Sequence, residues 1–223
     1  MYIPFFWFKW NFPVKPTNPI KQTLLITQDK TKMTTFPERL STDYFVVHCS
    51  ATRPINPITV DILRQWHLAR GFQDIGYHYF IDTKGVTHKA REPDTCVGAG
   101  VAGHNENSLH ICLEGGLNNS TGNPDNTFNS LQFYALINLI HLLKVRFPKA
   151  VVLGHRDLSP DLNHDHIIEE SEFLKACPCF NAIQWAQANK LPFATLVSEG
   201  FVRNNIFNYK LPNEGMVSNK VIG

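Results

Sequence analysis

A chain of 223 residues is long enough for one domain of ordinary size with tails. Hydrophobic residues make up 43% and charged residues 18%, a balance that buries a core and excludes a disordered protein. The net charge of +2 is too slight for a nucleic-acid binder, and no apolar run approaches the roughly 18–20 residues that cross a bilayer, so no stable membrane insertion is expected.

Residues 1–40 carry several prolines and no clear period, and are expected to form a leader or tail outside the fold. The opening Met1 to Trp10 lacks the basic, aliphatic and small-residue succession of a secretory signal, and Met33 is an alternative start. The core is expected to begin at Tyr44-Phe45-Val46-Val47-His48-Cys49, a β-branched and aromatic run that reads as a buried strand. Thr59 then caps a helix with apolar positions Ile62, Leu63, Trp66 and Ala69, ended by Gly71. Tyr77 to Asp82 reads as a strand, turning at Lys84-Gly85 into a partner over Val86 to Ala90.

A further strand, Leu109 to Leu113, runs into Gly115-Gly116 and a polar loop. Asn129 and Gln132 form a capping-box-like start to the longest helix, whose apolar face is Phe133, Leu136, Ile137, Ile140 and Leu143, and Pro148 stops it. Ala150 to Leu153 is a last short strand leading into Gly154-His155-Arg156-Asp157. Strands alternating with helices predict an α/β domain over 41–190 with a single central sheet. The tail over 191–223 has weak periodicity and is given no role.

Five cysteines, Cys49, Cys96, Cys112, Cys177 and Cys179, are an odd count that suits free thiols in a reducing compartment. A hydrolytic zinc site needs three imidazole, thiolate or carboxylate ligands and one position left open for water. His48 ends the first strand, His155 follows the last, and Cys177 lies in Lys175-Ala176-Cys177-Pro178. Taken singly, each reads as well as an ordinary strand histidine or structural cysteine. His67, His88 and His141 look like plain helix or strand residues, and His78 alternates with Tyr77 and faces the other side.

The stretches VVHCSAT, GYHYFID, GHNENS, CLEGG, GHRD and KACPCF occur in this order. In that ordered set the chain resembles the type 2 N-acetylmuramoyl-L-alanine amidases, a family that includes phage lysozyme-type endolysins and the peptidoglycan-recognition proteins. The resemblance covers about 44–185 and implies a mixed sheet flanked by helices. It also implies zinc held by His48, His155 and Cys177, with Tyr77 and Lys175 as the catalytic pair. The Lys-x-Cys-Pro pattern selects Cys177 over Cys179. Zinc would lower the pKa of a water towards neutrality, while Lys175 and Tyr77 would face the negative charge that develops on the amide oxygen. His104 and Asn105 of the GHN loop are candidates for touching substrate. Two positions depart from the family pattern: Gly100 stands where a histidine is expected, and His110 where relatives favour glycine.

Between GHRD and KACP, oxygen-bearing residues Asp161, Asn163, Asp165 and Glu172, with Ile167 supplying a main-chain position, follow the spacing of a calcium loop of the EF-hand type. It lacks the usual glycine, where His166 would need a left-handed turn. Calcium is therefore a second expected cofactor, as a clip for Lys175 and Cys177.

The function expected is hydrolysis of the amide between N-acetylmuramic acid and L-alanine in peptidoglycan. A monomer is expected to accumulate in the cytoplasm and reach the wall through a holin-like partner. The alternatives are a peptidoglycan-binding module that does not cut, and a structural zinc protein with Cys179 as fourth ligand.

Overall fold

The computed structural model describes residues 35–165 and 167–192, together with the backbone of 195–197 and 201–203. The leader expected before residue 35 therefore lies outside the described residues. The elements in chain order are β1 (Tyr44–Cys49), α1 (Val60–Ala69), β2 (Tyr79–Ile81), β3 (Thr87–Lys89), β4 (Ser108–Leu113), α2 (Ser130–Arg146), β5 (Val151–Gly154) and α3 (Ala182–Ala188). A short hairpin, β6 (Thr195–Val197) with β7 (Phe201–Arg203), follows. Five strands make one mixed sheet in the order β3-β2-β4-β1-β5, parallel except where β3 returns against β2. The α/β architecture expected from the sequence is the one found.

Strand parity divides the core. Phe45 and Val47 of β1, Leu109, Ile111 and Leu113 of β4 and Val152 of β5 point to one face, where they pack with Leu136, Ile140 and Leu143 of α2 and with Ala182, Trp185 and Ala186 of α3. The opposite face carries Val46 and Leu153, while Leu63 of α1 packs with Phe80 and Cys112. His48 and His110 have the parity of Val46 and Cys112, so both point to this second face.

α2 begins as expected: Asn129 accepts the Gln132 amide at 3.1 Å, and the Gln132 side chain accepts the Asn129 amide at 3.2 Å. α1 starts at the Thr59 cap and stops before Gly71, whose φ of +85° is a left-handed conformation that costs glycine little. Its buried face differs from the expected one. Leu63 and His67 are buried while Trp66 is exposed, because His67 Nδ1 accepts the Gly76 amide at 2.8 Å and turns the helix towards that loop. Two elements were not expected. Asn181 caps α3 by accepting the Gln184 amide at 2.9 Å, and the tail contains the β6–β7 hairpin. Packing also reaches back before residue 41: the Val97 amide donates to Pro37 O at 2.8 Å and the Arg39 amide to Thr95 O at 2.9 Å.

Candidate active site

β1 and β5 are parallel, with Val47 opposite Gly154, so their carboxyl ends open at one edge of the sheet. His48 is the penultimate residue of β1, and His155 opens the 3-10 turn His155–Leu158 directly after β5. Asp157 fixes that turn by accepting the Gly154 amide at 2.7 Å. The Arg156 amide donates to Cys177 O at 2.8 Å, drawing the Lys175–Cys179 segment onto the strand ends. That approach needs glycine at 154, since a Cβ there would lie 2.6 Å from Pro178 Cδ.

The ligand atoms of His48, His155 and Cys177 all fall within 4.8 Å of one another, and among the described residues no other set of three or more His, Cys, Asp or Glu residues gathers this way. His48 Nδ1 is 3.8 Å from Cys177 Sγ, and the Cys49 amide donates to the same sulfur at 3.3 Å. Tetrahedral bonds of about 2.0–2.3 Å would place ligand atoms roughly 3.3–3.8 Å apart, so a small contraction would suit the set to zinc. Cys179, the rival ligand, points elsewhere: its thiol donates to Gly116 O at 3.2 Å and lies 3.7 Å from Cys49 Sγ.

Electrostatics favour neutral ligands. Burial, then the neighbouring His110, His155 and Lys175, hold the fully buried His48 well below the usual imidazole range. Burial and then the Lys175 ammonium lower His155 to about 4. Both rings are thus uncharged near neutral pH, as metal ligation requires. The contact with Cys177 is the largest cause pushing the Cys49 thiol up to about 12.

Tyr77 packs its ring 4.9 Å from that of His48 and 5.2 Å from that of His67. Burial, followed by the thiols of Cys112, Cys177 and Cys49, raises its pKa well above the ordinary phenol range, so it remains an O–H donor. Lys175 is exposed, yet its charge is felt at both His48 and His155. The structure therefore gathers His48, His155, Cys177 and Tyr77, with the Lys175 charge acting on both histidines.

The substrate candidates diverge. His104 is partly exposed on its loop, whereas Asn105 Oδ1 accepts the Gly100 and Val101 amides at 2.9 and 3.0 Å and faces His110 Nε2 at 3.0 Å. His78 is buried but does not face away from the site: its ring stacks on that of His110 at 5.7 Å, because it lies beside His110 in the sheet register, and its Nδ1 accepts the His110 amide at 2.9 Å. His110, singled out in the sequence only as a departure from the family pattern and given no role, is a fully buried ring whose Nδ1 lies 3.0 Å from His48 Nε2. The signal available was its position: an imidazole in the middle of an apolar strand, with the parity of His48 in the paired strand. Glu114, also given no role, is buried and braces the neighbouring loops by accepting the Ile58 and Thr83 amides.

The acidic segment closes on its own backbone. Glu172 accepts the amides of Leu162, Asn163 and Glu169 at 2.6, 3.1 and 2.9 Å, Asp161 that of His164 at 2.7 Å, and Asp165 that of Ile167 at 2.8 Å. Within this segment the left-handed residue is His164, at φ 61°, while His166 lies outside the described residues. These oxygens already have donors, and the calcium expectation has no support.

The sequence model of a family described as N-acetylmuramoyl-L-alanine amidase matches residues 38–173. An endolysin of Enterobacteria phage K11 is 36% identical over 156 residues, covering 70% of this chain and 93% of its own. An endolysin of Escherichia phage T7 is 35% identical with the same coverage. Among solved structures, the amidase LysC from Clostridium intestinale URNW is 22% identical with a TM-score of 0.52, covering 68% of this chain and 87% of its own. Bumblebee PGRP-SA is 18% identical with a TM-score of 0.53, covering 69% and 85%. These two share the fold. The family match and the endolysin relatives together show that the chain belongs to the type 2 N-acetylmuramoyl-L-alanine amidases.

Proposed function

We propose that the chain is a zinc-dependent peptidoglycan amidase that cleaves the bond between N-acetylmuramic acid and L-alanine, with an endolysin-like role. The observation that carries this reading is the convergence of His48, His155 and Cys177 within 4.8 Å, at the mouth of the parallel strands. Two neutral imidazoles and a thiolate are the donor set of a catalytic zinc, with a fourth position left for water. When bound, zinc would supply a Lewis acid and bring the pKa of that water near neutrality.

The chain's own residues do the rest. Tyr77, kept protonated by its surroundings, donates a hydrogen bond to the oxygen of the scissile amide. Lys175 holds an ammonium against the negative charge that grows there, and such stabilisation is often the largest single contribution to rate. His104, on the GHN loop, contacts the sugar or stem peptide. In this reading the monomer reaches the wall through a holin-like partner; no helix among the described residues is long and apolar enough to cross a membrane.

Purified peptidoglycan digested by the zinc-loaded chain tests the reaction. The reading predicts new amino groups on L-alanine with glycan strands intact, identified by mass spectrometry. Co-sedimentation with peptidoglycan and no released product would instead establish a binding module and sink the hydrolase.

A further inference from the structure

Gly100 and His110 meet in space. A Cβ on Gly100 would lie 2.6 Å from His110 Nδ1, and one on Gly98 would lie 2.5 Å from His110 Cδ2. The His110 ring thus fits only over a glycine floor, in a pocket that leaves it fully buried. Its two nitrogens face Asn105 Oδ1 and His48 Nε2, each at 3.0 Å.

The hydrogen positions follow by elimination. Asn105 Oδ1 takes two backbone amides, from Gly100 and Val101, so that atom is the carbonyl oxygen and can only accept. His110 Nε2 must therefore carry a hydrogen and donate it. A buried imidazole facing an amide oxygen and another imidazole has nothing to balance a charge, so it is neutral. Its Nδ1 is then a bare acceptor, and His48 Nε2 is the donor that fills it. This leaves the lone pair of His48 on Nδ1, the nitrogen 3.8 Å from Cys177 Sγ.

We propose that His110, oriented by Asn105 and admitted by Gly98 and Gly100, is a positioning residue that fixes the tautomer and ring orientation of His48 so that Nδ1 faces the metal. Metal-bound histidines commonly donate their other nitrogen to a carboxylate, carbonyl or water; here an imidazole backed by an amide takes that place. The inference rests on the zinc reading only for its purpose. The tautomer itself is a property of the metal-free chain.

The test has two readouts on the full chain. Ring 15N spectra of the metal-free protein are expected to show His48 protonated on Nε2 alone, and chelator competition gives its zinc affinity. His110→Ala should yield mixed His48 tautomers and an affinity about 10- to 100-fold weaker. Gly100→Ala, which keeps His110 but displaces its ring, should do the same without emptying the pocket. His110→Gln, whose amide can both accept from His48 and donate to Asn105, should recover much of the loss. Unchanged tautomer and unchanged affinity in both alanine variants would overturn the proposal. So would native His48 protonated on Nδ1. A native chain that binds no zinc would remove the metal reading and the relay's purpose with it, while the metal-free spectra decide separately whether the relay exists.

Discussion

Cys177 and Cys179 are two residues apart and have different partners. Cys177 faces His48 Nδ1, whereas Cys179 bonds the Gly116 carbonyl. Cys177→Ser is expected to abolish stoichiometric zinc binding and peptidoglycan release together. Cys179→Ser should retain both, and zinc content by elemental mass spectrometry separates the two outcomes. At Tyr77, phenylalanine keeps the packing against His48 and removes only the hydroxyl. Tyr77→Phe should therefore lower kcat by about 10²–10³-fold while zinc content and melting temperature hold; a variant of native kcat would remove the phenol from the mechanism. The residues at these positions could be named from the sequence because short motifs carry them. The role of His110 could not be read there, since it comes from the register between β1 and β4 and from the contact of its ring with Gly100, neither of which a linear pattern displays. The acidic loop misled for a related reason: calcium-like spacing of oxygens is equally the spacing that lets carboxylates take the amides of their own turn.

At the level of elements, hydrophobic period and caps account for much of the fold. β1 covers Tyr44–Cys49, the predicted run, and α2 starts one residue after the predicted Asn129 cap. Asn129→Ala removes the side-chain acceptor for the first turn of α2. It should cost about 1 kcal/mol of stability, a drop of roughly 2–4 °C in melting temperature for a domain of this size, with amidase activity at 25 °C unchanged. No loss of melting temperature would show that the capping box contributes nothing in place. α1 was legible as a helix but not in its rotation, because His67 rather than Trp66 turns inward to accept the Gly76 amide. α3 escaped notice because its seven residues put Ala182, Ile183, Trp185 and Ala186 on a buried face only two turns long, too short for a period to stand out.

Across the whole molecule, buried histidines dominate the response to acid. Burial is the largest cause lowering His67 to about 4 and His78 to about 3, against the ordinary 6.5. Their stabilising contribution is complete above pH 6.5, where the unfolded chain also leaves them neutral, and is lost as pH falls towards those folded values. Asp157 acts the other way. Burial raises it to about 6 from 3.8, so its contribution grows as pH falls through that window. Two histidines with the wider displacement outweigh one carboxyl, and the metal-free chain should unfold at lower urea at pH 4.5 than at pH 7. An equal or higher midpoint at pH 4.5 would contradict this balance. Metal stripping and reconstitution decide whether the sheet edge built by β1, β5 and the Cys177 segment is a zinc amidase centre. A defined muramyl peptide is treated with native, metal-stripped and zinc-restored protein, and its products are weighed by mass spectrometry. The expected result is one zinc per chain, cleavage of the muramyl–L-alanine amide by the native and restored forms, and none by the stripped form. Full cleavage by the stripped chain, or cleavage at a glycosidic bond, would contradict it.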